Sequence, residues 1–370
     1  MKILHVAETF KGGVATVVNS LAAFQLKDQR ISQVEVIIPE EHTLQLSNKL
    51  CRNYTTFKRK KRGLGSLLNL AYILYRRIKE YNPDVVHLHS TFSGVIGRVV
   101  IFIFFRNRKI KVIYCPHAFP FLMNSNKYKK KGYIICEKLL AKYTDKIICV
   151  GKNEYDEAIK VGVPESKMTI INNGVDIPKQ QNNKIINNLD EYVLLYVGRF
   201  DFQKGTDVLI DALKKIDNEN LSYKIKIVMV GEAVNDETSY QSLTFKYINI
   251  EFTGWIQQEL LFDYYIKSDC LIIPSRWEGL AMVPLEAISY KLPVITSDIA
   301  AFKEINAVSN LSFKNGDSRS LAKVLTNLHS YDLDKIKIEL YEKICSENSQ
   351  LQMNEKTLSL YEYLNQGNLQ

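Results

Sequence analysis

The sequence has no long apolar segment, no closely paired cysteines and no leader-like start, and each absence excludes a class of protein. Its longest uninterrupted apolar run is the seven residues Val99–Phe105, whereas a membrane-spanning helix needs about 20. The six cysteines include no Cys-x-x-Cys pair, which argues against a disulfide framework or a zinc site. Met1–Ala7 has the character of a buried strand and not of a signal peptide. We therefore expect a cytoplasmic protein that does not cross a bilayer.

The positive charge is concentrated in the first half of the chain. Residues 1–175 carry 29 Lys and Arg against 13 Asp and Glu, whereas the remainder carries 20 against 27. Two clusters dominate this excess, Lys58–Arg62 and Lys127 with Lys129–Lys131. They indicate either a solvated face or attraction to an anionic membrane surface, where each basic residue contributes about 1 kcal/mol. No helix-turn-helix or RNP-type motif accompanies the charge, so we do not expect nucleic acid as a partner.

Short apolar runs alternate with segments of helical periodicity, and this alternation occurs twice. The predicted strands are Lys2–Ala7, Val34–Ile38, Val85–His89, Lys111–Cys115 and Lys146–Val150 in the first half, and Val193–Gly198, Lys226–Gly231, Leu271–Pro274 and Pro293–Thr296 in the second. The pattern predicts an α/β protein with two doubly wound, Rossmann-like domains of parallel strands. The run Val99–Phe105 is interpreted as a helix buried under the first sheet, with an exposed apolar surface that faces a membrane as the alternative.

The length of 370 residues also favours two domains. The N-terminal domain is expected to span residues 1–175 and the C-terminal domain residues 176–345. A polar, Asn-rich stretch at 179–188 is typical of a linker. Residues 346–370 are expected to form a C-terminal helix that could pack back on the N-terminal domain.

Glycines and cations mark strand-to-helix loops, where open α/β sheets bind their ligands. Gly12-Gly13 follows the first predicted strand and would let the backbone approach a phosphate at the start of a helix. Arg199 and Lys204 flank the loop after the first strand of the second half, and their guanidinium and ammonium groups suit a diphosphate. Taken singly, these patterns also fit an ordinary tight turn and two surface cations.

Two glutamates follow a later strand of the second half. Glu278 lies between a buried strand and a helix, and Glu286 lies just inside that helix. A carboxylate that accepts hydrogen bonds from two vicinal hydroxyls is an ordinary way to hold a sugar or a ribose. For Glu286 alone, stabilisation of the helix N-terminus is the other interpretation.

The spacing of these two glutamates resembles a known signature. They are separated by seven residues in the setting P-S-R-W-E-G-L…P-L-E-A…K-L-P-V-I, which is similar to the E-x7-E motif of the retaining GT-B glycosyltransferases of family 4. Further landmarks agree in order over nearly the whole chain: the N-terminal Gly-Gly, D-V-V-H-L-H-S at 84–90, P-H-A-F at 116–119, N-G-V-D at 173–176, G-R-F…K-G at 198–205, V-G-E at 230–232 and F-T-G-W at 252–255. Ala281 stands where the family usually has glycine, which matters if that position needs a positive φ or a close sugar contact.

The resemblance implies a GT-B fold, with two Rossmann-like domains facing across a cleft, and it implies roles for single residues. It implies catalytic roles for Glu278, near the reacting carbon of the donor sugar, and for His117, beside that sugar. It implies diphosphate binding by Arg199 and Lys204 and ribose binding by Glu286. The implied donor-binding set is Gly13, Arg199, Lys204, Gly254, Trp255, Ile256, Gly279, Leu280, Ala281, Met282, Val283 and Glu286, in which Gly254–Ile256 would meet the base.

No cofactor and no metal are expected. Two fixed cations and helix-end N–H groups can stabilise the charge that develops on a leaving diphosphate. The string Asp332-Leu333-Asp334 lies away from every motif and is interpreted as surface. His87 and His89 would face the same side of a strand, but no further ligand is evident from the sequence.

The resemblance therefore implies transfer of a hexose-type sugar from a nucleotide sugar to an acceptor, with retention of configuration. Family frequency favours UDP, with GDP and ADP as alternatives. Related enzymes and the basic clusters suggest a lipid-linked saccharide acceptor in surface polysaccharide synthesis, and a peripheral location on the inner membrane face. The alternatives are a soluble or protein acceptor, a nucleotide-sugar epimerase and a non-catalytic nucleotide-binding module.

Overall fold

The structure is a computed structural model that describes residues 1–59, 63–123, 126–178, 191–219, 221–233, 240, 243–279, 281–306 and 310–367, without the side chains of residues 258 and 259. The chain forms two compact units, Met1–Gly174 with Gln350–Gln370, and Val175–Ser349. The first division falls after Gly174, one residue before the expected boundary after residue 175. The second falls after Ser349, four residues beyond the expected boundary after residue 345. The expected linker at 179–188 lies outside the described residues.

Both units alternate strands and helices. The strands are β1 Lys2–Ala7, β2 Gln33–Pro39, β3 Tyr54–Phe57, β4 Val85–His89, β5 Lys111–Cys115, β6 Lys146–Cys149, β7 Met168–Ile170, β8 Glu191–Val197, β9 Lys224–Val230, β10 Ile248–Gly254, β11 Cys270–Ile273, β12 Val294–Ser297 and β13 Ser312–Phe313. The helices are α1 Gly13–Gln25, α2 Leu64–Tyr81, α3 Thr91–Phe104, α4 Lys127–Leu140, α5 Lys152–Lys160, α6 Thr206–Ile216, α7 Gln258–Lys267, α8 Met282–Ser289, α9 Ala300–Ile305, α10 Ser318–Thr326, α11 Leu333–Glu347 and α12 Gln350–Gln366. Each of the nine predicted strands is present with its ends within two residues of the prediction.

Each unit contains one sheet in which all neighbouring strands are parallel. The first sheet has seven strands in the order β3-β2-β1-β4-β5-β6-β7, and the second has six in the order β10-β9-β8-β11-β12-β13. In both sheets the order reverses beside the first strand, between β1 and β4 and between β8 and β11. Two Rossmann-like domains are therefore confirmed, and the carboxyl ends at each reversal are where such folds bind ligands.

The first sheet is covered on both faces. On one face Leu4, Val6 and Leu88 pack with apolar residues of α2 and α3, and on the other Val36 and Ile38 pack with α1. Strands buried on both sides read as continuous apolar runs, which is why the central strands could be predicted. The expected C-terminal helix at 346–370 corresponds to α12, which begins at Gln350 and belongs to the first unit, while the preceding α11 continues to Glu347.

The longest apolar run of the sequence lies mostly within α3. Val100 and Ile101 are buried, whereas Ile103 and Phe104 are 58% and 59% exposed. The expectation of a fully buried helix is therefore wrong, because successive residues of a helix point in all directions around its axis. Among the described residues, no helix combines the length and the apolar character needed to cross a membrane.

The string Asp332-Leu333-Asp334 begins a helix on the surface. The Asp332 side chain accepts a hydrogen bond from the Lys335 backbone N–H at 3.0 Å and caps α11. Asp334 lies in the first turn of that helix, where its 66% exposed carboxylate pairs with Lys337. Both carboxylates are thus placed where acidic side chains stabilise a helix start, which agrees with the surface interpretation.

Candidate functional site

The loop after β8 holds the two predicted cations in a defined conformation. Asp201 accepts hydrogen bonds from the Arg199 side chain and from the Lys204 backbone N–H, both at 2.8 Å. Gly205 follows in a left-handed conformation with φ of 67°, and a Cβ there would lie 2.0 Å from the Pro274 carbonyl oxygen. Only glycine fits at such a position, so this residue lets the β8 loop approach the loop after β11 closely.

The structure brings Lys204 and Glu278 into direct contact. The Lys204 Nζ atom lies 2.5 Å from Glu278 Oε1, and the Ser275 hydroxyl donates to the same oxygen at 2.8 Å. The Glu278 side chain is 8% exposed and that of Lys204 is 21% exposed. This largely desolvated pair joins two residues that the sequence placed in separate roles, one at the phosphate and one at the sugar.

A second ion pair joins the loop after β11 to the first turn of α6 and was not predicted. The Arg276 guanidinium binds both carboxylate oxygens of Asp207, at 2.7 and 2.6 Å, and lies 3.8 Å above the centre of the Phe202 ring. Partial burial, the largest single influence, favours the neutral carboxyl, but the hydrogen bonds and charge of Arg276 together with hydrogen bonds from backbone N–H groups outweigh it and hold the pKa of Asp207 below its usual value. Nothing in the local sequence pairs Arg276 with Asp207, because the contact depends on the approach at Gly205.

Glu286 lies in the second turn of α8, as predicted from the sequence. Its carboxylate accepts a hydrogen bond from the buried Tyr265 hydroxyl on α7 at 3.1 Å. Burial raises the pKa of Tyr265 well above its ordinary value, so this hydroxyl stays protonated and remains a donor. The bond fixes one oxygen of a carboxylate that is itself only half-buried.

The segment before α8 shows the backbone conformation of Ala281. This residue is the N-cap of α8 and has φ of −70°, a conformation that alanine adopts without strain. Met282 and Val283 begin the helix, and the Met282 side chain is buried, so only its backbone can face a ligand. Gly279 lies directly before the gap in the described residues, and the predicted donor-binding residue Leu280 lies outside them.

The loop after β10 is anchored to the loop after β9. The Trp255 backbone N–H donates to Glu232 Oε1 at 3.2 Å, and the Glu232 carbonyl accepts from the Phe200 N–H at 2.8 Å. The Trp255 side chain is 58% exposed, and Gly254 and Ile256 on either side are half-buried. The three predicted base-binding residues therefore lie at the carboxyl end of the second sheet, in the same unit as Arg199.

In the first unit, Gly12 and Gly13 form the turn between β1 and α1. Gly12 has φ of 53° and is the N-cap, and Gly13 is the first helical residue. A Cβ on Gly12 would meet nothing within 4 Å, so glycine is favoured by the backbone conformation and not by crowding. The open space and the start of a helix suit the approach of an anion.

His117 follows β5 in a strained conformation. It has φ of 55° and the next residue, Ala118, has φ of 132°, values that non-glycine residues rarely adopt outside functional sites. The buried carboxylate of Glu154 holds this loop by accepting the N–H groups of Phe119 and Val150 at 3.1 and 2.8 Å. Desolvation lowers the pKa of His117 to about 4, so its imidazole is neutral at neutral pH.

The expectation that His87 and His89 have no further potential ligand is wrong. Parallel pairing of β1 with β4 places His5 beside His87, and one ring nitrogen from each of His5, His87 and His89 lies within 4.8 Å of the others. Across the part of the chain that the structure describes, this is the only cluster of metal-ligand type. Burial lowers the pKa of His5 to about 4 and holds the other two well below their usual range. Three neutral imidazoles are an acceptable donor set for a transition metal.

Further contacts surround these three rings. His87 Nδ1 lies 2.6 Å from the Tyr361 hydroxyl on α12, and His87 Nε2 has no hydrogen-bond partner among the described residues. Tyr361 is fully buried. The C-terminal helix thus contributes a polar group to the centre of the first unit.

Comparison with known proteins gives consistent matches over most of the chain. Residues 11–179 match the family described as Glycosyltransferase Family 4, and residues 178–344 match the family described as Glycosyl transferases group 1. Over 313 residues the chain is 36% identical to an uncharacterized 41.2 kDa protein in the cps region of Klebsiella pneumoniae, covering 82% of this chain and 83% of that protein.

One further relative and one solved structure extend these matches. The chain is 31% identical over 264 residues to the UDP-Gal:alpha-D-GlcNAc-diphosphoundecaprenol alpha-1,3-galactosyltransferase of Escherichia coli, covering 68% of this chain and 65% of that enzyme. The crystal structure of Anabaena HepE in complex with UDP and glucose matches with a TM-score of 0.76 at 17% identity, over 98% of this chain and 100% of that one. At this level of identity, the match to HepE shows similarity of fold only.

Proposed function

The chain belongs to the glycosyltransferases that carry a Glycosyltransferase Family 4 region followed by a Glycosyl transferases group 1 region, and we propose that it transfers a hexose from a UDP-sugar to a lipid-linked saccharide in surface polysaccharide synthesis, with retention of configuration. That it is a polysaccharide-biosynthesis glycosyltransferase follows from its relatives. The donor is proposed by analogy with the E. coli relative, which uses UDP-Gal, and with HepE, which binds UDP. The lipid-linked acceptor is proposed from the same E. coli enzyme, whose acceptor carries diphosphoundecaprenol.

The observation that carries the donor proposal is the arrangement of charges in the second unit. Arg199 and Lys204 follow β8, while Glu278 and Glu286 follow the neighbouring β11, so all four lie beside the reversal in strand order. Cleavage of a sugar–phosphate bond leaves negative charge on the diphosphate, and cations that are already in place stabilise that charge with little reorganisation. We assign this role to Arg199 and Lys204, and ribose binding to Glu286.

The same arrangement supports a reaction that needs no metal at the diphosphate. Lys204 is held by Asp201 through its backbone and by Glu278 through its ammonium, so a fixed cation is available to a diphosphate without a divalent ion. Helix-end N–H groups of Met282 and Val283 at the start of α8 add donors for an anion.

Retention is proposed from the resemblance to the retaining GT-B glycosyltransferases of family 4. The pair of carboxylates that glycosidases place at the reacting carbon is not assigned here, because Glu286 is assigned to the ribose. A front-face reaction, in which the leaving phosphate accepts the proton of the acceptor hydroxyl, is consistent with retention and needs no second carboxylate. NMR determination of the anomeric configuration of the product tests this, and an inverted product contradicts it.

The donor proposal predicts that UDP stabilises the protein in the presence of EDTA and that Glu286→Ala removes this effect. A ligand at about 100 times its dissociation constant adds roughly 2.7 kcal/mol to the free energy of unfolding, which is enough for a clear shift in Tm. We would record Tm by calorimetry with UDP, GDP and ADP. Glu339→Ala, which changes a surface carboxylate on α11 that pairs with Lys335, is the matched control. No shift with any nucleotide, or an equal shift in Glu286→Ala, contradicts the donor site.

A membrane-facing surface is proposed on the first unit from exposed apolar and basic residues. Leu64, Leu68 and Tyr72 lie at intervals of four on α2 and are 76%, 62% and 58% exposed, so they form one stripe. The neighbouring α3 exposes Ile103 and Phe104. A stripe of this kind with nearby lysines is typical of helices that lie on a bilayer.

The basic residues of the first unit contribute unequally to this surface. On α4, Lys127 and Lys129–Lys131 are exposed. Arg59 of the other cluster is instead turned inward and pairs with the buried Glu8 at 2.8 Å, while residues 60–62 lie outside the described residues. The α4 lysines therefore carry the membrane proposal, with a location on the inner membrane face.

We expect charge reversal of Lys129, Lys130 and Lys131 to glutamate to weaken binding to anionic vesicles by at least about 100-fold. Each lysine near an anionic surface contributes about 1 kcal/mol, and reversal replaces attraction with repulsion. Sedimentation with vesicles of equal parts phosphatidylglycerol and phosphatidylcholine measures the change. Reversal of the exposed Lys214, Lys215 and Lys224 in the second unit is the control. Equal binding by the two variants contradicts the assigned surface.

A further inference from the structure

A chain of hydrogen bonds connects the strained loop histidine of the first unit to an amide on α1. Gln25 Oε1 lies 2.8 Å from His5 Nε2, His5 Nδ1 lies 3.0 Å from His89 Nε2, and His89 Nδ1 lies 3.0 Å from His117 Nε2. Gln25, His5 and His89 are fully buried, so water does not compete for these bonds. The chain crosses from α1 through β1 and the end of β4 to the loop after β5.

The direction of each bond follows from the orientation of the Gln25 amide, whose Oε1 faces His5 while its Nε2 has no hydrogen-bond partner among the described residues. An amide oxygen can only accept, so His5 Nε2 carries the proton that it shares with Gln25. A neutral imidazole has one N–H, and His5 Nδ1 must therefore accept from His89 Nε2–H. By the same rule His89 Nδ1 accepts from His117 Nε2–H. The consequence is that His117 Nδ1 has no proton and is a hydrogen-bond acceptor.

We propose that Gln25, His5 and His89 are positioning residues that fix His117 in its Nε2–H tautomer, so that Nδ1 accepts a hydrogen bond from a hydroxyl of the bound saccharide. The second part rests on the proposed glycosyltransfer function. If His117 were free to change tautomer, its Nδ1 atom would donate in one form and accept in the other. The hydrogen-bond chain keeps Nδ1 as an acceptor. A buried relay of this kind resembles the way in which second partners orient metal-bound histidines.

The hydrogen-bond chain also explains the histidine cluster without a metal ion. A metal bound between the facing nitrogens His5 Nδ1 and His89 Nε2, which lie 3.0 Å apart, would need a lone pair from each of them. In the hydrogen-bond chain the first is already an acceptor and the second carries a proton. The two interpretations are therefore mutually exclusive at these atoms.

The wild-type protein tests the tautomers without any ligand. In a long-range proton–nitrogen correlation spectrum with isotope-labelled histidine, we expect His5, His89 and His117 to be neutral at pH 7 and protonated at Nε2. Signals are assigned with single His→Gln variants. An Nδ1–H form or an imidazolium at His117, or stoichiometric zinc in the purified protein by elemental analysis, overturns the proposal. This experiment does not depend on activity, so its outcome is separate from that of the proposed function.

The functional part is tested by Gln25→Met, which keeps the size of the side chain and removes the acceptor. We expect mixed tautomers at His117 and a fall of about 10-fold in kcat/KM for the donor, as for loss of one hydrogen bond, with an unchanged UDP-induced shift in Tm. Ser20→Ala, which removes the bond from α1 to Asn354 on α12 at 3.3 Å and leaves the histidine chain intact, is expected to change neither the tautomer of His117 nor kcat/KM. Mixed tautomers with unchanged kcat/KM overturn the saccharide contact.

Discussion

Replacing Lys204 with alanine is expected to lower kcat by roughly 10²–10³-fold, the loss that follows removal of one preorganised partner of a developing anion. The residue is held by the backbone bond to Asp201, by the left-handed Gly205 and by the 2.5 Å contact with Glu278. The attraction between a cation held in this way and the leaving diphosphate becomes stronger as negative charge grows on the diphosphate. We therefore expect kcat and kcat/KM to fall together, because the lost interaction strengthens in the transition state.

Initial rates over a range of donor concentrations measure both constants. Lys226→Ala is the matched control, because this lysine of the same unit pairs with Glu251 at 2.8 Å on the neighbouring edge strand. It is expected to leave kcat unchanged. The double variant Lys204→Ala/Glu278→Gln removes the unpaired carboxylate that the single change leaves behind. If the wild type and both variants have the same Tm, the loss of kcat does not come from a loss of stability. A rise in KM at constant kcat would mean that Lys204 only binds the donor.

The central strands could be predicted from the sequence, and the edge strands could not. The strands without a sequence prediction are β3, β7, β10 and β13, and each lies at an edge of its sheet. An edge strand has one neighbour and is buried less, so its sequence need not be a continuous apolar run. In β10, for example, Glu251 is exposed and Phe252 only half-buried. The apolar character on which the prediction relied is therefore missing where the sheet ends.

The positions of the proposed site residues in the fold could be predicted, but their partners could not. The sequence places Lys204, Glu278 and Glu286 after strands of the second half, where the structure also has them. The bond from Tyr265 to Glu286 and the clamp between Arg276 and Asp207 join residues from different loops or helices. These contacts depend on how closely the loops and helices approach one another. A pattern of neighbouring residues in the sequence does not predict that distance.

The histidine chain was missed for the same reason. His5 and His89 are 84 residues apart, and only the register of β1 on β4 brings them together. Helix α12 adds Tyr361 from the far end of the sequence. A strand prediction indicates which side a residue faces, but the identity of its neighbour requires the strand order.

A second large effect is expected on stability, from a buried ion pair between α3 and α4. Arg98 and Glu137 are 0% and 1% exposed and lie 2.9 Å apart. The guanidinium also lies 4.1 Å from the centre of the Tyr114 ring, and the Tyr114 hydroxyl donates to Glu137 at 3.1 Å. Glu137→Leu leaves the guanidinium buried without its counterion, and breaking such a pair costs about 3–5 kcal/mol. We expect the first unit to lose that much of its free energy of unfolding.

Hydrogen exchange measured by mass spectrometry localises this loss. Amides of α3 and α4 are expected to exchange faster in Glu137→Leu, whereas the exchange rates of amides in β8 and β11 should not change. Both tryptophans, Trp255 and Trp277, belong to the second unit, so their fluorescence reports on the unfolding of that unit alone. The double variant Arg98→Met/Glu137→Leu is expected to recover most of the stability, because two apolar residues of similar volume can replace a buried pair. Arg76→Ala, which removes the exposed ion pair with Glu80 on α2, is the control and should have no measurable effect. Equal destabilisation by the single and the double variant would mean that the contacts of Glu137 matter through packing and not through charge.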